Sequence, residues 1–381
     1  MIDRLNQIPL FKVFMSPNID KPLLEVLHCG FIGEGESVKL FEKNLISYFK
    51  NPNLATVNSG TSALHLAYHL ALYPKHKSYK IDSDLEIISS PMTCTATNTP
   101  IINNGAKIVW ADCDPNTGNI DPDSIRKKIT KKTKAIVMIH WGGNPCLINE
   151  INKIAHEYGI KTIEDCAHAI GSEYHGDVIG NTVSDFSCFS FQAIKHITSV
   201  DGGLITCKSL EDFERIKLLR WFGIDREPKT KEAIDLRCEI DVPEAGYKFH
   251  MNNICAVIGN ENFKHLNEII QKHRENALFY NNIFSQAGIK FAKENSKSSY
   301  WLYTIHVENR DELMIKLKEF GIHSSKVHAR NDTHSMFKDF KDQNLTGVED
   351  FNRTHLCIPV GWWVSSEDRE FIAKKIIEFA K

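Results

Sequence analysis

An α/β fold is predicted for this chain, with a mostly parallel central sheet covered by helices and a smaller α+β unit after it, and three observations predict it. Short apolar runs alternate with longer amphipathic stretches through residues 1–245, the rhythm of strand and crossover helix. The pattern changes over residues 246–381, where helical stretches dominate. A length of 381 residues with 42% hydrophobic and 25% charged side chains is enough to bury a large core in two units. In chain order, 54–57 reads as a strand that turns through Asn58-Ser59-Gly60-Thr61-Ser62 into a helix over 63–73. Further strands are expected at 85–89, 107–111, 135–139, 161–164 and 186–189, with helices at 122–129 and 147–158. Ligands in such sheets bind beyond the carboxyl ends of the strands, where Asp165 and Ser190 fall. After residue 245 the spacing predicts a long helix over 252–284, a strand over 300–307, a helix over 311–320 and a last helix over 367–379.

Composition excludes several classes of protein. A net charge of −2 offers no basic excess for nucleic acid, and the lysine-rich piece 126–134 reads as a solvated helix end. The start, Met1-Ile-Asp-Arg-Leu-Asn-Gln, lacks the basic and apolar pattern of a secretory leader, and no run approaches the ~18 apolar residues of a membrane span. A cytoplasmic protein is expected. The ten cysteines form no Cys-x-x-Cys pair and sit mainly in apolar runs, so buried free thiols are expected rather than disulfides, metal or an iron–sulfur cluster. His65 and His69, and the set His323, His328 and His334, lack the carboxylate pattern of a zinc motif. No metal is expected, and the Gly-x-Gly-x-x-Gly fingerprint of a dinucleotide site is missing.

The residues that carry chemistry are an amine and a carboxylate. Lys195 lies in Ser190-Phe-Gln-Ala-Ile-Lys195, and upstream the apolar segment Ile163-Glu164-Asp165-Cys166-Ala167-His168 offers a buried acid. Pyridoxal phosphate chemistry needs that pair: a lysine to hold the aldehyde as a Schiff base and an aspartate to keep the ring nitrogen protonated. The backbone N–H groups of Gly60, Thr61 and Ser62, at the start of a helix, suit an anion such as the cofactor phosphate.

Four blocks in order, Asn58 to Leu64, Glu164 to Ala169, Ser190 through Lys195 to Gly203, and Gly246 to Asn252, make the chain resemble the DegT/DnrJ/StrS family of pyridoxal phosphate-dependent sugar aminotransferases. The resemblance covers nearly the whole chain and implies the type I, aspartate aminotransferase-like fold. It implies Lys195 as the cofactor lysine and later the base, Asp165 at the ring nitrogen, Ser190 at the phosphate and His168 against the ring. Lys248 stands where the family has an asparagine that reaches the phosphate of a neighbouring subunit, so a homodimer with shared active sites is implied. Cys94 stands where the family has an aromatic over the ring, and the ring is then covered by Cys94 or by another aromatic. The loop of Lys326, His328 and Arg330 matches one placed near the sugar.

The reaction implied is transfer of an amino group, with glutamate as donor, to a ketosugar, by default a nucleotide-linked 4-keto-6-deoxyhexose destined for amino sugars of surface polysaccharide. Three alternatives stand beside it. They are a transaminase of a nucleotide-free keto or aldehyde sugar such as an eight-carbon sugar acid, a sugar 3-dehydratase, and a non-catalytic regulator that keeps the cofactor. The dehydratases replace the lysine by histidine, whereas here His196 falls one place after Lys195.

Overall fold

The structure, a computed structural model, describes residues 7–74, 84–181, 183–225, 241–340 and 344–380. The strands in chain order are β1 (Leu54–Val57), β2 (Glu86–Ser89), β3 (Lys107–Trp110), β4 (Thr133–Ile139), β5 (Lys161–Asp165), the short pair β6 (Glu173–Tyr174) and β7 (Asp177–Val178), then β8 (Phe186–Ser190) and β9 (Gly203–Cys207). Seven of them form one sheet in the order β1-β9-β8-β5-β4-β2-β3. Only β9 runs against its neighbours, pairing antiparallel with both β8 and β1. The fold is therefore α/β with a mostly parallel sheet, as the alternating pattern predicted. β1, β5 and β8 all end at the same edge, which brings Asn58, Asp165 and Ser190 together.

Alternation along the strands fills both faces of the sheet. Ala135, Val137 and Ile139 of β4 pack with the helix Gly60–Leu72, while Ile136 and Met138 point to the opposite layer with Phe41, Leu45, Ile151 and Ile154. All five β4 residues are essentially inaccessible. At roughly 1.5–3 kcal/mol for each large aliphatic side chain, this burial fixes the strand against both helix layers. Gly60–Leu72 is itself apolar on nearly every side because it lies between the sheet and other helices.

A second sheet, β10 (Lys290–Phe291), β11 (Tyr303–His306) and β12 (His355–Ile358), is antiparallel and carries its own core with Tyr280, Phe284, Leu313 and Ile372. Three features differ from expectation. The helix predicted over 252–284 is two, Asn253–Phe263 and Leu266–Ala287, interrupted where His265 leaves helical geometry. No glycine or proline marks the break, which lets the first helix pack on Glu36–Phe49 and the second on the smaller sheet. The strand expected at 300–307 is confined to Tyr303–His306, because Tyr300 takes a left-handed conformation, φ +50°. Strands β9 and β12 were not anticipated. Among the described residues no helix is long and apolar enough to cross a membrane.

Candidate active site

Close approach at two glycines builds the floor of the site. A Cβ at Gly60 would lie 2.8 Å from Ser190 Cβ, and one at Gly203 would lie 2.4 Å from the Ser59 carbonyl. Only glycine lets the helix start sit on the ends of β8 and β9. The Ser59 hydroxyl caps the helix by accepting from the Ser62 N–H at 3.0 Å, and the Ser62 hydroxyl donates to Asn58 Oδ1 at 2.6 Å. Ser62 therefore departs from the sequence reading: its N–H is committed to the cap, and Gly60 and Thr61 are the helix-start residues that line the cavity above.

That cavity, of about 710 Å³, is also lined by Cys94, Asp165, His168, Ser190, Lys195, Trp301 and His328. Asp165, at the end of β5, is 5% exposed. Its Oδ1 accepts from the Ala167 N–H at 3.0 Å and its Oδ2 from the Thr97 hydroxyl at 2.7 Å. Because Thr97 spends its proton on Asp165, the Thr93 hydroxyl, 2.7 Å away, donates to Thr97. Two donors on a buried carboxylate fix its orientation.

Lys195 lies on the loop after β8, with its Nζ 3.9 Å from the centre of the Trp301 ring. Burial lowers its pKa from 10.5 to about 8, against the opposing pull of Asp165 and Cys94. Burial and then the Lys195 charge push His168 well below its ordinary value, and the same two causes bring His328 down to about 3. Both imidazoles are thus neutral at physiological pH. They lie parallel, 5.7 Å apart, and His168 Nδ1 and His328 Nε2 are buried without a hydrogen-bond partner among the described residues.

The other predicted positions lie elsewhere. Lys326 and Arg330 are absent from the cavity wall: the Lys326 carbonyl accepts from His355, and the Arg330 guanidinium forms a two-pronged pair with Asp332 at 2.9 and 2.7 Å. Between Arg330 and Asp332, fully buried Asn331 ties this loop to the Thr93 turn through the Thr93 carbonyl at 2.8 Å. Lys248 is exposed on the outside of the chain, 3.5 Å above the Trp221 ring. His65 and His69 do pack, His65 edge-on to Tyr247 and His69 bonded to Tyr247 and Glu244. His140, Glu164 and Cys166, a buried group of ligand-type side chains, went unnoticed in the sequence; His140 Nδ1 accepts from the Cys146 N–H while Nε2 donates to Glu164, bracing β4 against β5.

Sequence reasoning also missed Thr97, Trp301, Gln192 and Asp201 as wall residues. Thr93 and Thr97, four apart where a strand gives way to a helix, were the available signal for the first. Nothing in the sequence marked the tryptophan.

Pyridoxal phosphate fits this wall. An amine and a carboxylate border one cavity, the glycine-lined helix start offers N–H groups to an anion, and two orphaned imidazole nitrogens await a polar partner.

Known proteins agree with the geometry. Residues 15–377 match the model of the DegT/DnrJ/EryC1/StrS aminotransferase family. The sugar aminotransferase CalS13 from Micromonospora echinospora superposes with a TM-score of 0.91 and 34% identity, over 98% of this chain and 100% of that one. The UDP-4-amino-4,6-dideoxy-N-acetyl-beta-L-altrosamine transaminase of Campylobacter jejuni is 30% identical over 375 residues, 94% of this chain and 95% of the relative. GDP-perosamine synthase of Escherichia coli O157:H7 is 30% identical over 380 residues, 98% of this chain and 99% of the relative. The chain belongs to the DegT/DnrJ/EryC1/StrS aminotransferase family and is a pyridoxal phosphate-dependent sugar aminotransferase.

Proposed function

We propose that the protein transfers the amino group of glutamate to the keto carbon of a nucleotide-linked 4-keto-6-deoxyhexose, making an amino sugar for surface polysaccharide. The observation that carries this reading is the meeting of Lys195, Asp165 and the Gly60–Thr61 helix start in one cavity. The names of the two 30%-identical relatives, a UDP-amino-sugar transaminase and a GDP-amino-sugar synthase, support the substrate class.

Bound pyridoxal phosphate supplies an electron sink for the pair left behind when a proton leaves the donor's α-carbon. Lys195, with a pKa of about 8, yields a usable fraction of free amine near neutral pH, so its Nζ both tethers the cofactor and, once released by the donor, accepts the α-proton. Asp165, held by Thr97 and Ala167, would be the residue that pairs with the ring nitrogen. Gly60, Thr61 and Ser190 would hold the phosphate, with Ser62 supporting them through the cap; His168 would pack on the ring, and Cys94 borders the same cavity. His328 meets the sugar, whereas Lys326 and Arg330 act outside the cavity.

A second copy of the chain completes the site in this reading, with Lys248 reaching the partner's phosphate. Residues 1–245 then form the cofactor unit and 246–381 the smaller one. Free thiols at the described cysteines suit a reducing cytoplasm. Absorbance spectroscopy tests the reaction: glutamate should bleach the visible band of the loaded enzyme, and one ketosugar from a panel of nucleotide-linked and free sugars should restore it. A band that glutamate leaves unchanged would favour the dehydratase or the silent regulator. Mixing Lys195→Ala and Lys248→Ala chains tests sharing, since mixed dimers regain an active site of wild-type cofactor affinity only if the two residues serve one site from different subunits.

A further inference from the structure

We propose that Trp301 is a positioning residue for Lys195, its indole face fixing where the amine rests in the cavity and favouring the ammonium form there. The inference rests on Lys195 being the reactive amine.

The lysine is bracketed. On one side the Trp301 Nε1–H donates to the Ile194 carbonyl at 3.0 Å, and on the other the ring of His196 lies 3.0 Å from the Ser299 carbonyl, its Nε2 the donor. Both immediate neighbours of Lys195 are thus bonded to the same turn, Ser299 to Trp301. The ammonium lies 3.9 Å from the centre of the indole, which is 4% exposed. A cation over an indole gains most where water is excluded.

The turn that delivers the indole is itself held against its backbone preference. Tyr300 has φ +50°, a region that bulky side chains seldom occupy, and its carbonyl accepts from His273 Nδ1 at 2.8 Å. The Ser299 hydroxyl donates to the His168 carbonyl at 3.0 Å, and the indole stacks on the His168 ring at 3.8 Å and 18° and on Phe11 at 4.9 Å and 23°. A purely packing tryptophan needs none of these bonds to the lysine loop. The groups facing the amine from other elements are Asp165 and Cys94, which favour its charge, and His168 and His328, which burial and the lysine together keep neutral. Trp301 adds attraction on the side of charge without a proton of its own.

Competitive labelling tests this. The full-length apoenzyme is treated with trace acetic anhydride across pH, and the Lys195 peptide is quantified by mass spectrometry. Wild type should show a midpoint near 8. Trp301→Leu should move it down by about one unit, while Trp301→Phe, which keeps an aromatic face but loses the Ile194 bond, should stay within about half a unit of wild type. In the loaded enzyme Trp301→Leu should lower kcat about tenfold with KM for the sugar little changed. Trp301→Met replaces the leucine variant should the latter fail to fold. An aliphatic variant that melts like wild type and keeps the wild-type midpoint overturns the inference and leaves the lysine assignment standing. A wild-type midpoint above about 10, the range of an ordinary lysine, instead overturns the reading of Lys195 on which it rests.

Discussion

Lys195 and Lys248 both rest closely on indole rings, and of the pair only Lys195 is built for chemistry. Lys195 lies 3.9 Å from the Trp301 ring and Lys248 lies 3.5 Å from the Trp221 ring, so the local contact is nearly the same. Lys195 is enclosed, with Asp165, His168 and His328 around its cavity and a pKa near 8; Lys248 is exposed, with His250 3.3 Å from its Nζ. The contrast teaches that an aromatic face places an ammonium, whereas removal from water decides whether it gives up its proton. It also separates the roles proposed for the two: the buried lysine as tether and base, the exposed one as a mobile charge for an anion.

Substitution of each lysine breaks the comparison most sharply. Lys195→Ala should lower turnover by about a thousandfold or more with the fold intact, while Lys248→Ala should weaken cofactor affinity by only about tenfold. Equal losses at both positions would erase the distinction. Next in size is the support of Asp165. Thr97→Val removes a hydrogen bond to a charged group and should reduce kcat by about ten- to a hundredfold, and Thr97→Ser, which restores the hydroxyl, should recover most of it. Steady-state kinetics on the pair checks this.

The burial of Lys195 should also register in the pH dependence of apoenzyme stability. Its folded pKa of about 8 lies below the ordinary 10.5, so between these values the unfolded chain binds more protons. The cost of burial is full below pH about 8, shrinks as pH rises toward 10.5 and vanishes above it, a span of about 3 kcal/mol. Urea denaturation at pH 7 and pH 10 should therefore show a larger gain for wild type than for Lys195→Met. Smaller still are the effects on the loop that sequence linked to the sugar. Arg330→Ala leaves Asp332 buried without its partner and should cost about 1–3 kcal/mol in stability with no change in KM, and Lys326→Ala should change neither by much.

What could be read from the sequence was what chemistry demands by residue type. Lys195, Asp165 and the glycine-bearing helix start were legible because an amine, an acid and free N–H groups must recur at strand ends in a parallel sheet. Strand order was not legible, because the lone antiparallel strand β9 looks locally like any other apolar run. The same limit hid the break at His265, which tertiary packing imposes without a glycine or proline. Ser62 and Arg330 were read for their chemistry, but close neighbours, Ser59 and Asp332, claim that chemistry in the folded chain. Trp301 was invisible for a different reason: it comes from the lead-in to β11 and meets Lys195 only after the two sheets assemble.

Borohydride reduction of the enzyme loaded with pyridoxal phosphate, followed by peptide mass mapping, tests the central claim most directly. The account predicts a single stable adduct on the peptide that carries Lys195, absent in Lys195→Ala; an adduct on the Lys248 peptide, or on any other lysine in place of Lys195, would contradict it.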